Sequence, residues 1–198
     1  MGTVNRTVSP GPRADAVAEQ VTLSDRSRAL LQPDMPLVQY LRELARAEQL
    51  DDAFRLLVEA LPTPECLWWL VLCSWSRTIV TRDEGLEQGP VDQLRRAVVD
   101  WLHDPTESKQ QLILAAAASA HGAPLATGVV ALLTAHRIGR HRALHAASWS
   151  VGQMVQLAAP DRQYKLACYM LGVGVEVLLG NCHWQRQPPT TPRPTYID

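Results

Sequence analysis

The chain has almost no lysine, two against seventeen arginines in 198 residues, and its formal charge is only -1. That balance excludes the broad electrostatic pull toward nucleic acid or an anionic membrane that a basic protein exerts. Four cysteines without a CxxC pair exclude a zinc knuckle and a secreted disulfide scaffold, and fit a reducing cytoplasm. No apolar core of the Sec-signal kind follows Arg6 in MGTVNRTVSPGPRADAVAEQ. Eleven glycines and fourteen prolines exclude collagen. There is no G-x-S-x-G elbow, no phosphate-binding glycine loop and no Glu-x-x-His of the di-iron bundles. No run alternates apolar and polar residues between turn signals, which removes a sheet and leaves an all-α protein.

What is present is globular: 46% hydrophobic and 20% charged residues, in a length suited to one domain. The excess of arginine over lysine, with abundant alanine, points to a GC-rich bacterial genome. Residues 1–33 are polar and broken by Pro10, Pro12 and Pro33, so they read as a mobile, disordered arm with one short helix near Ser24 to Leu31. Residues 34–183 read as a single helical domain of about eight helices, a bundle or a short solenoid. Leu37, Val38, Leu41, Leu44 and Ala45 form one apolar stripe, and Leu50, Ala53, Phe54, Leu57, Val58 and Leu61 form a second. Thr63 and Pro64 start a third helix whose Cys66–Cys73 section is apolar on every side, a signature of a central helix. Residues 184–198 form a Pro-rich, polyproline-like tail in which Pro189-Thr-Thr-Pro192, followed by Arg193, fits the loose PxxP docking pattern.

The segment Gln110 to His136 contains no Asp, Glu, Lys or Arg, and about twenty apolar residues suffice to span a bilayer. The His-Gly-Ala-Pro break at 121–124 divides it into two pieces that are too short, so two buried helices and no membrane insertion are expected.

The candidates for chemistry are few. His141 and His145, four residues apart, share one helix face, and His136 lies one turn upstream; this is the spacing a zinc or nickel pair needs. Arg137, Arg140 and Arg142 are interleaved with them and repel a dication, so a solvated basic helix start is expected, and the cluster of Arg137, Arg140, His141, Arg142 and His145 is alternatively a contact for an anion or a partner's carboxylates. Asp100 and His103 are expected at an exposed helix end. Glu176 interrupts an apolar helix on an outward stripe, and the cysteines beside the tryptophan pair are expected as buried structural thiols. No catalytic residue, metal or cofactor is assigned. Charge is divided unevenly: residues 1–120 hold 12 basic against 17 acidic residues, and 121–198 hold 7 against 3.

The block Leu61-Pro62-Thr-Pro-Glu65-Cys-Leu-Trp68-Trp69 resembles an uncharacterised bacterial all-helical family, a domain of unknown function with a Leu-Pro-x-x-Glu-x-x-Trp-Trp block. The likeness runs on through Asp104-Pro105-Thr-Glu107, an alanine-rich helix closed by Gly122 and Pro124, and a last helix with Gly172 and Gly180. It implies a family sometimes found in secretion-related gene neighbourhoods, such as type VI clusters, with Glu65, Trp68 and Trp69 marking a shared surface or core. The expectation is a non-enzymatic adaptor or accessory factor with a protein partner and no nucleic acid. A metal-binding or enzymatic bundle built on His136, His141 and His145, and a membrane-associated subunit, are the alternatives.

Overall fold

The computed structural model describes residues 12–81 and 89–182. Residues 1–11, Arg82–Gln88 of the charged loop, and the Pro-rich tail with its PxxP pattern lie outside them. Eleven helices and no strand occur among the described residues: α1 (Ala14–Ala18), α2 (Asp25–Leu30), α3 (Leu37–Arg46), α4 (Leu50–Ala60), α5 (Thr63–Thr81), α6 (Pro90–His103), α7 (Glu107–Ser119), α8 (Pro124–Leu133), α9 (Ala135–Ile138), α10 (Arg140–Gln156) and α11 (Pro160–Leu178). Eight of them have ten residues or more, in line with the expectation of about eight helices. None of the helices among the described residues is long and apolar enough to cross a membrane.

α5 is the axis. It packs against α6, α8, α10 and α11, while α4, early in the chain, packs against α10 and α11 near its end. In a solenoid each unit meets only its sequence neighbours. The pairing of early with late helices makes this a closed bundle instead. Trp68 and Trp69 are 1% and 0% exposed, so both tryptophans of the family-like block are core and neither forms a surface. Trp69 Nε1 donates to the Met170 carbonyl at 2.8 Å, which gives the buried indole N–H the partner it needs. Gly174 makes room for that contact: a Cβ there would overlap Leu57 Cδ2 and lie 2.7 Å from Trp69 Nε1. Trp68 instead meets Trp75 edge-on, with centroids 5.8 Å apart.

The segment expected as a mobile arm is fastened over residues 12–33. Ala14 N donates to Met35 O at 2.9 Å and Leu37 N to Pro12 O at 3.0 Å, and Ala14 and Val17 are buried. Ser24 caps α2 by accepting from Ser27 N at 3.2 Å. The buried carboxylate of Asp52 accepts from Ser24 N at 3.0 Å and from Ser27 Oγ at 2.6 Å. Tyr40 Oη donates to the Ser27 carbonyl at 2.7 Å. The tie therefore runs through polar groups 13 to 28 residues apart, which no apolar periodicity reveals. α9 was also invisible to periodicity. Thr134 Oγ1 donates back to Val130 O at 2.7 Å where α8 ends, and Gly139 closes α9 at φ 89°.

Candidate functional site

α10 carries two opposed stripes. Ala143, Ala147, Ser150, Val151 and Met154 are buried against the rest of the bundle. This small-residue face brings α8 and α10 together so closely that a Cβ on Gly128 would lie 2.9 Å from Ser150 Oγ. The other stripe, His141, His145, Ser148, Trp149, Gly152 and Gln156, faces a groove. Its opposite wall is the polar edge of α4, where Asp51, Arg55 and Glu59 recur every four residues, and the turn Gln20–Thr22 closes one end.

The groove holds two adjoining cavities of about 230 and 180 Å³ that share Arg55, His145 and Ser148. A third, of about 310 Å³, leads on from Asp51 and Arg55 toward Glu48 and Ser24. Trp149 stands 50% exposed in the second cavity and takes no part in the core. Arg55 Nη1 lies 3.4 Å from both Asp52 Oδ1 and Thr22 O, two long contacts, and its Nε and Nη2 make no hydrogen bond among the described residues. Asp52 remains ionised below the usual carboxylate range: burial works against the charge, and the hydrogen bonds from Ser27 and Ser24 with the Arg55 guanidinium outweigh it.

The basic cluster expected from sequence is split. Arg140 is engaged within the molecule, with Nη2 2.9 Å from Glu59 Oε1 on α4, so it staples α10 to α4. His141 and His145 do face the groove together. Arg142 is exposed and lines neither groove cavity. Arg137 is exposed and donates through Nε to His136 Nε2 at 3.2 Å. His136, on α9, lines neither groove cavity, and no group of three or more His, Cys, Asp or Glu that could hold a metal ion occurs among the described residues.

In the family-like block, Leu61 is buried, Pro62 exposed and Glu65 half-buried in the first turn of α5, where a carboxylate is favoured by the helix dipole. One Glu65 oxygen, Oε2, is buried without a hydrogen-bond partner. Asp100 and His103 are exposed, and Glu176 is half-buried, accepting from Asn181 Nδ2 at 2.9 Å. Burial pushes the Cys66 thiol up to about 12 and the Cys73 thiol well above its ordinary value, so both stay protonated where a nucleophile would need the thiolate.

Arg55, Asp51, Trp149 and Gly152 belong to no motif in the sequence. Arg55 and Asp51 belong to an ordinary polar helix edge until α10 is folded against it. A signal did exist for Trp149, which continues the four-residue spacing of His141 and His145 and is flanked by Ser148 and Ser150. No curated protein and no solved structure matches this chain. A family of unknown function (DUF6931) matches over residues 40–193, which takes in all the helices from α4 to α11 and most of α3, though not the turn at Gln20–Thr22. The chain belongs to that family of unknown function.

Proposed function

We propose that this protein works without catalysis of its own, as an adaptor or accessory factor that holds a protein partner in the groove between α4 and α10. The observation that carries the reading is the outward stripe of α10: Trp149 is half exposed beside Arg55, in an open channel rather than in the core. Exposed aromatic and arginine side chains together are the residues that contribute most at protein contacts. The cysteine usage supports a reducing cytoplasmic setting, and the resemblance of the Leu61–Trp69 block makes a type VI secretion assembly the starting point of the partner search.

The test is affinity purification with mass spectrometry from the native host, using the full chain, a Trp149→Asp variant and a chain truncated after Gln185. A protein captured by the full chain and the truncation and lost from Trp149→Asp supports the reading. Capture of no protein above background by the full chain defeats it, and retention by Trp149→Asp with loss on truncation moves the contact to the tail.

A further inference from the structure

Gly152 sits in the middle of α10, where glycine is the least favourable residue after proline. At Gly128 and Gly174 a neighbouring helix explains the missing side chain, because a Cβ would collide with it. At Gly152 a Cβ would meet only Asp51 Oδ1, 3.9 Å away across the groove. Trp149 lies three residues back on the same helix face, where Cβ atoms are about 5–6 Å apart. The half-exposed indole and the Asp51 carboxylate therefore border one gap, and both line the cavity of about 180 Å³ together with Gln153 and Gln156.

The charges around the groove choose its occupant. Four carboxylates, those of Glu48, Asp51, Asp52 and Glu59, line the three adjoining cavities against one guanidinium, that of Arg55. Arg55 is paired with Asp52, and Glu59 with Arg140. Asp51 and Glu48 make no hydrogen bond or ion pair among the described residues. With the histidines neutral, two negative charges are thus left over, one in the Trp149 cavity and one beside it. That surplus calls for a cation and repels an anionic lipid surface. No group of side chains that could hold a metal ion occurs among the described residues, which leaves an organic cation.

We infer that the gap at Gly152 receives an arginine side chain from a basic segment of a partner protein, its guanidinium stacked on Trp149 and paired with Asp51. This rests on the interaction reading and adds the chemistry of the partner. Tryptophan offers the aromatic face that attracts a cation best. A guanidinium is planar and stacks on that face, and its fork of N–H donors meets a carboxylate through two parallel bonds. The side-chain carbonyls of Gln153 and Gln156 accept from the donors that Asp51 leaves over. The absent side chain at position 152 gives the guanidinium its place between ring and carboxylate, and Glu48 attracts a second basic residue of the segment.

The probe is a fluorescein-labelled heptapeptide with two arginines in a Gly-Ser frame, titrated by fluorescence anisotropy against the full chain at about pH 8, where imidazole is neutral. A version with citrulline for arginine keeps the shape and loses the charge. The expected result is saturable binding, weakened about tenfold or more by citrulline and about threefold or more by Asp51→Asn, Trp149→Ala and Gly152→Leu. The same change is expected to be under about twofold for Asp100→Asn, an exposed carboxylate on α6. Circular dichroism checks that each variant is folded; Asp51→Asn and Trp149→Ala alter exposed side chains and decide the matter if Gly152→Leu does not fold. No binding of the arginine probe to about 1 mM, equal binding of the citrulline probe, unchanged binding by folded groove variants, or as large a loss from Asp100→Asn overturns the inference. Agmatine that binds as tightly as the peptide also overturns it, in favour of a free guanidine. A native partner that is lost from Trp149→Asp and retained by Asp51→Asn and Gly152→Leu overturns the arginine site while leaving the interaction reading in place. Groove-dependent probe binding without any captured partner does the opposite.

Discussion

α5 and α10 are both long helices of one bundle, yet they use tryptophan in opposite ways. In α5, Trp69 is fully buried, its N–H is satisfied by the Met170 carbonyl, and a glycine on α11 is shaped around it. In α10, Trp149 is half exposed and borders an open channel, and the nearby glycine is shaped around nothing in the protein. Burial with a fitted partner accounts for a residue by stability. Exposure with an unfilled gap beside it asks for something outside the chain.

Substitutions sharpen the contrast. Trp69→Ala removes a large fully buried side chain and leaves the Met170 carbonyl without its indole donor, so a loss of about 3–5 kcal/mol is expected in chemical denaturation. Gly174→Ala forces a methyl group into Leu57 and the Trp69 indole and is expected to cost about 1–3 kcal/mol, seen as a lower denaturation midpoint. A variant that melts like the parent would show that α11 does not press on Trp69 as described.

Asp52→Ala leaves the Ser27 hydroxyl and the Ser24 amide without their acceptor, an expected loss of about 1–3 kcal/mol. It should speed hydrogen exchange in α2 before the rest of the bundle. The pH dependence has a definite sign. The folded pKa of Asp52 lies below its ordinary 3.8, so its contribution is complete above that value and disappears as pH falls through the folded pKa. The difference in stability between parent and Asp52→Ala should therefore shrink in strong acid; a difference that grows there would contradict the assignment. Trp149→Ala, by contrast, is expected to change stability by no more than about 0.5 kcal/mol.

How much of this was legible in the sequence follows the same division. Apolar spacing located α3 and α4, and the all-round apolar Cys66–Cys73 section identified the central α5, because burial against several neighbours requires it. The fastening of residues 12–33 was hidden, since it depends on Asp52 becoming the shared acceptor for Ser24 and Ser27 after α2, α3 and α4 have met. The candidate site was half visible. His141 and His145 were identified as a pair with a shared face, whereas Arg140 was counted with them although Glu59, 81 residues away, claims it. Arg55 gave no sign because a lone arginine on a polar helix edge has no meaning until the facing helix is placed.

The claim that the protein's own packing leaves Gly152 unfilled is tested most directly by thermal melts of the parent and Gly152→Ala. The variant is expected to melt higher, since Gly-to-Ala in a helix interior is worth about 0.5–1 kcal/mol and no neighbour objects. A variant that melts lower than the parent would contradict the account.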